Sequence, residues 1–186
     1  MVDAAKLIVL DRDGVINYDS DEYIKSEREW HPLPGALEAI ARLTAAGYRV
    51  VVISNQSGVG RGLLDLATLE KIHKKMTASV GAHGGRLAGI YFCPHTPDAG
   101  CECRKPKAGL LHTMQADMGI TSLEGVPLIG DKESDLELAL AVGARGILVR
   151  TGKGARTLAA MDGYRGVESY ADLAAAVDAL LGSGGS

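Results

Sequence analysis

The stretch Lys6-Leu7-Ile8-Val9-Leu10-Asp11-Arg12-Asp13-Gly14 decides the fold. The short apolar run from Lys6 to Leu10 stops abruptly at a carboxylate, the pattern of a buried parallel strand with an acidic group at its carboxyl end. Asp11 and Asp13 flank Arg12, so both carboxylates enter one crevice if the extended backbone continues for two residues. Gly14 then permits a sharp turn. Taken alone, such a DxDG segment serves equally well as a solvated turn. Its surroundings shift the balance. Tyr48–Ile53 reads as a second buried strand and ends in Ser54, Asn55 and Gln56. Leu87–Phe92 reads as a third, Val126–Ile129 as a fourth ending in Gly130 and Asp131, and Gly146–Val149 as a fifth. Helices are expected between them. One opens at Pro34 and Gly35 and stops at Gly47; one is capped by Asp65 and carries Leu69, Ile72, Met76 and Val80. Others span roughly Lys107–Met118, Glu133–Val142 and Tyr170–Leu181.

Strands alternating with helices specify a doubly wound α/β domain with a parallel sheet. Right-handed crossovers collect the strand-to-helix turns on one edge, where ligands bind. The polar clusters after the first, second and fourth strands therefore converge. One domain is expected over residues 1–181, with the terminal GSGGS (182–186) as a flexible tail. The stretches between Gly14 and Trp30 and between Ser57 and Phe92 leave no room for a large inserted cap domain, which predicts an open site.

The chain has 186 residues, 46% hydrophobic and 23% charged, with a net charge of −3. These values, and the absence of a Lys/Arg block, argue against nucleic acid or an anionic membrane as the main partner and favour a small molecule. No apolar run reaches membrane-spanning length, and Asp3 near the start interrupts any export signal, so a cytoplasmic, monomeric protein is expected.

The converging residues solve one problem. A phosphomonoester repels an anionic nucleophile unless cations shield it. Lys105 supplies one fixed positive charge. Asp11, Asp131 and the backbone carbonyl of Asp13 offer oxygens suited to Mg²⁺. Asp11 is placed to attack phosphorus, and Asp13 to protonate the leaving alkoxide and later deprotonate water. Ser54 and Asn55 are candidates to hold the phosphate, although a Ser-Asn turn is often structural. All three cysteines lie in Cys93-Pro-His95…Cys101-Glu-Cys103. Three thiolates and an imidazole in a short loop point to tetrahedral, structural zinc, with incidental thiols as the other reading. The scattered His31, His73, His83 and His112 read as surface or packing residues, as does Trp30.

DRDGV, SNQSG, RKP and GDKESD, following successive strands in this order, resemble the four motifs of the haloacid dehalogenase superfamily across nearly the whole chain. The resemblance implies Asp11 as nucleophile, Asp13 as general acid/base, Ser54 and Lys105 as phosphate contacts, and Asp131 as metal ligand. Lys132 and Asp135 of the last motif support them, and Gln56 joins the phosphate loop. The CPH…CxCRKP loop in such a fold is similar to the D-glycero-D-manno-heptose 1,7-bisphosphate 7-phosphatases and their relatives, the histidinol-phosphate phosphatases. NQSGVGRG with Arg61, together with Arg104 and Lys105, matches the heptose enzymes, whose substrate carries a second phosphate for arginines to hold. The β anomer and a role in lipopolysaccharide synthesis follow from the resemblance alone. A zinc-ordered binding module with a disused phosphatase fold is the alternative of another class.

Overall fold

A computed structural model describes residues 6–161 and 166–182. The strands are β1 (Leu7–Leu10), β2 (Arg49–Asn55), β3 (Leu87–Cys93), β4 (Pro127–Gly130), β5 (Arg145–Val149) and β6 (Ser169–Tyr170). They form one six-stranded sheet in the order β3-β2-β1-β4-β5-β6, and every pairing is parallel. The chain builds β1, β2 and β3 outward on one side, then crosses back to place β4 beside β1. That reversal opens a crevice outside the carboxyl ends of β1 and β4. Asp11 and Asp131 are the residues that follow those two strands.

The helices are α1 (Ala36–Ala45), α2 (Ser57–Gly60), α3 (Leu66–Ala82), α4 (Gly109–Met118), α5 (Glu133–Ala141), α6 (Gly154–Ala160) and α7 (Leu173–Gly182). Alternate residues of β1 feed two separate cores. Ile8 and Leu10 pack with Leu37, Ile40, Ile72, Met76 and Val177 of α1, α3 and α7. Leu7 and Val9 pack with Leu111, Met114 and Leu138 of α4 and α5. A strand covered on both faces must be apolar at every position, which explains why KLIVL is continuous rather than alternating. Full burial of each such side chain contributes about 1.5–3 kcal/mol, enough to hold the polar strand ends in one place. Trp30, within the segment that links β1 to α1, is fully buried in the first core.

Asp65 caps α3 as expected, its carboxylate accepting from the Thr68 amide at 2.8 Å. Four elements depart from the sequence reading. The last helix starts at Leu173, not Tyr170, because Ser169 and Tyr170 pair with β5 as a short edge strand. Asp172, whose carboxylate accepts from the Ala175 amide at 2.8 Å, marks the true start. The short helices α2 and α6 show no amphipathic period long enough to read. Gly182 still belongs to α7, and the remainder of the expected tail, 183–186, lies outside the described residues, as does Asp3.

Candidate active site

The carboxyl edge of the sheet carries a cleft of about 300 Å³ whose walls include Asp11, Asp13, Asn55, Gln56, Arg61, Arg104, Lys105 and Lys132. Asp11 and Asp131 stand at the ends of adjacent strands, and Asp135 sits in the first turn of α5. Their carboxylate oxygens lie within 4.8 Å of one another. Three buried carboxylates this close repel strongly. Lys105 answers part of the charge, its Nζ lying 3.0 Å from Asp11 Oδ1 and 2.7 Å from Asp135 Oδ1. Burial disfavours its charge, but the two carboxylates outweigh burial and raise its pKa. Lys132 lies 3.4 Å from Asp131 and 3.8 Å from Asp11.

The compensation is incomplete. Burial, and next the Asp11 charge, push Asp131 up to about 7. Its Oδ2 accepts from the Lys153 amide at 2.8 Å, while its buried Oδ1 has no hydrogen-bond partner. A buried carboxylate oxygen that lacks a hydrogen bond, faces further carboxylates and has only the Lys132 ammonium at 3.4 Å fits a divalent cation, which would favour the anionic form of Asp131. The sequence reading of a magnesium site at Asp11 and Asp131 therefore meets a suitable donor set. Gly14, with φ of 83°, lies so close that a Cβ there would strike the Asp131 carboxylate.

Asp13 points away from this trio. Its Oδ1 accepts from Asn17 Nδ2 at 2.8 Å and from Arg12 Nε at 3.0 Å, and its Oδ2 accepts from Gln56 Nε2 at 2.9 Å. Burial alone would raise its pKa, but Arg12, then Asn17 and Gln56, bring it below the ordinary carboxylate value. Asp13 thus rests as a carboxylate. Ser54 is fully buried and its hydroxyl accepts from Gln56 Nε2, behind the cleft wall. Asn55 braces Lys105 rather than reaching outward: its Oδ1 accepts from the Lys105 amide at 3.0 Å and its Nδ2 donates to the Lys105 carbonyl at 3.2 Å. Asp135 holds both Lys105 and the amide of Lys132. Arg61 and Arg104 line the outer cleft, with the Arg61 guanidinium 5.9 Å from the centre of the Tyr23 ring. Tyr23 has φ of 67°, a costly conformation for an aromatic residue, and it lines the same cleft. Sequence reasoning missed Arg12, Asn17, Tyr23 and Lys153. His73, read as a surface or packing residue, is buried, and its ring meets Arg12.

The cysteine loop closes on itself as expected. Cys93 Sγ lies 3.6 Å from Cys101 Sγ, 3.1 Å from Cys103 Sγ and 3.5 Å from His95 Nδ1. Tetrahedral zinc with its usual bond lengths sets ligand atoms about 3.5–3.8 Å apart, so this Cys₃His set is close to ready for the metal. All four positions are protein ligands, which makes the site structural. The loop is stitched to the side of the cleft that carries Gln56 and α2. Gln56 N donates to Cys93 O at 2.7 Å, Gly60 N to Pro94 O at 2.8 Å, and Arg104 Nη1 to His95 O at 3.4 Å.

Comparison with known proteins agrees with this geometry. Residues 102–176 match the HAD-hydrolase-like family, and residues 6–132 match the polynucleotide kinase 3 phosphatase family. The chain is 56% identical over 153 residues to a D-glycero-β-D-manno-heptose-1,7-bisphosphate 7-phosphatase of Pseudomonas putida, covering 82% of this chain and 87% of that one. The chain belongs to the heptose bisphosphate phosphatase family of the haloacid dehalogenase superfamily. Another family member, from Pseudomonas aeruginosa, is 50% identical across 94% of this chain and 97% of its own. The crystal structure of the Bordetella bronchiseptica D,D-heptose 1,7-bisphosphate phosphatase, complexed with magnesium and phosphate, superposes with a TM-score of 0.91 at 48% identity. It covers 96% of this chain and 99% of that one. Membership in this phosphatase family makes the protein a phosphoric monoester hydrolase. No helix among the described residues is long and apolar enough to cross a membrane.

Proposed function

We propose that the protein removes the C7 phosphate of D-glycero-β-D-manno-heptose 1,7-bisphosphate, in the supply of activated heptose for lipopolysaccharide. The observation that carries this reading is the two-ended cleft. Carboxylates and Lys105 converge at its floor, and Arg61 and Arg104 stand on its outer wall, where a second phosphate can be bound. The relatives named above act on that bisphosphate, which supports the substrate and the anomer.

Asp11, Asp131 and the carbonyl of Asp13 would hold magnesium, which would supply positive charge at the transferring phosphoryl group. The chain's own residues do the rest. Lys105 and the Arg12 amide hold Asp11 Oδ1, leaving Oδ2 the less encumbered oxygen for attack on phosphorus. Ser54, Asn55 and Gln56 shape the phosphate loop. Asp13 is a resting carboxylate; an arriving phosphate dianion raises its proton affinity, so that it takes up a proton from solvent as substrate binds and passes that proton to the C7 oxygen as the bond to phosphorus breaks. Returned to the anion, it takes the proton of the water that hydrolyses the aspartyl-phosphate. The reading includes a monomeric enzyme in the cytoplasm, where thiols stay reduced and available to zinc.

Phosphate release with Mg²⁺ from the two heptose bisphosphate anomers and from histidinol phosphate, compared as kcat/KM, tests the proposal. A strong preference for the β anomer is expected. Preference for histidinol phosphate would overturn the substrate, and hydrolysis of none would revive the binding module.

A further inference from the structure

Arg12 lies between the two catalytic aspartates in sequence, yet its side chain is fully buried and turned to one of them alone. Its Nε donates to Asp13 Oδ1 at 3.0 Å and its Nη2 to Asp13 Oδ2 at 3.2 Å. The same Nη2 donates to Gln56 Oε1 at 3.1 Å, and Gln56 Nε2 donates in turn to Asp13. One side of the guanidinium remains to be fixed. His73, in the middle of α3, meets Nη1 with its Nε2 at 3.3 Å. A guanidinium only donates, so Nε2 must be the unprotonated, accepting nitrogen of a neutral imidazole. The ring is held from its side by Phe92 of β3, at 5.5 Å between centroids and tilted by 56°.

We infer that His73 is a positioning residue for the phosphatase reaction, acting through Arg12 to fix the Asp13 carboxylate where it delivers a proton to the leaving oxygen. This rests on the assignment of Asp13 as general acid/base. His73 is anchored on a long helix and a core strand, so it transmits the rigidity of the scaffold to a residue that otherwise sits in a turn. Without an acceptor at this position the guanidinium keeps a buried, unsatisfied donor and can swing toward another partner, taking Asp13 with it. A displacement of this kind damages proton delivery first, because Arg12 grips Asp13 through two nitrogens and Gln56 of the phosphate loop through one.

The test exploits the leaving group. Departure of an alkoxide needs a proton in the transition state, whereas departure of p-nitrophenolate does not. The ratio kcat/KM covers steps only up to phosphoryl transfer, so it isolates the acid half of the reaction. His73→Leu is expected to lower kcat/KM for heptose bisphosphate roughly tenfold or more while leaving that for p-nitrophenyl phosphate within about twofold of the parent. His73→Gln, whose carbonyl can accept from Arg12, is expected to recover most of the loss, and its fold is checked by thermal unfolding. Equal losses on both substrates, or no loss on the alkyl phosphate, would overturn the inference. The parent is assayed alongside. If it fails on heptose bisphosphate, the substrate reading falls, and the comparison is made with an alkyl phosphate the parent does hydrolyse.

Discussion

The ammonium of Lys105 and the carboxylate of Asp135 meet at 2.7 Å with both side chains buried. Asp135 also accepts from the Lys132 amide at 3.2 Å and so closes the start of α5. Removing Asp135 leaves Lys105 with Asp11 alone, at 3.0 Å, and takes the acceptor from the start of α5. Asp135→Ala is expected to lose about 3 kcal/mol of stability, with Asp135→Asn losing less because it keeps an acceptor. Urea unfolding checks this, read as a shift of midpoint at constant slope.

His73 makes stability depend on pH. Burial, and next the Arg12 charge, lower its pKa from 6.5 to about 4. Between those values the unfolded chain binds the proton more readily, so stability rises with pH through the window. The contribution is complete above 6.5 and is lost as pH falls toward 4; its full size is on the order of 3 kcal/mol. Unfolding free energies of the parent and of His73→Gln, measured across this window, should diverge by that slope. Parallel curves would contradict the burial argument.

Gly14 occupies space that a Cβ cannot share with the Asp131 carboxylate, and its φ of 83° already disfavours an L side chain. Gly14→Ala is therefore expected to displace Asp131 and weaken magnesium roughly tenfold. The Mg²⁺ dependence of turnover measures it directly, with the zinc content unchanged.

Stripping zinc is expected to lower thermal stability and slow turnover at saturating Mg²⁺, because the loop that holds it runs directly into Arg104 and Lys105. Zinc at about a thousand times its dissociation constant contributes about 4 kcal/mol, or roughly 10 °C for a domain of this size. Calorimetry of the chelated and reconstituted protein gives the shift, and recovery on adding zinc separates it from irreversible damage.

Much of this was legible in the sequence, for identifiable reasons. KLIVL and YRVVVI are largely apolar because both faces of β1 and β2 are covered, and they end at a carboxylate and a hydroxyl because the carboxyl edge of the sheet carries the cleft. Cys93, His95, Cys101 and Cys103 were legible because metal chemistry restricts ligand types. Edge strand β6 was not, since two residues carry no period. Nothing local in the sequence gives Arg12 a buried role or marks His73 as its partner, 61 positions away. Such contacts are created by the packing of α3 against the sheet, which no motif encodes. Likewise Lys153 reaches Asp131 through its backbone amide, and an amide has no signature in a list of side chains.

The most direct test of the central claim is mass spectrometry of enzyme quenched in acid during turnover of heptose bisphosphate with Mg²⁺. A phosphoryl group is predicted on the peptide that contains Asp11, present in the parent and missing from Asp11→Asn, which should also lose turnover while keeping its fold. A phosphoryl group on another residue, or undiminished turnover by Asp11→Asn, would contradict the account.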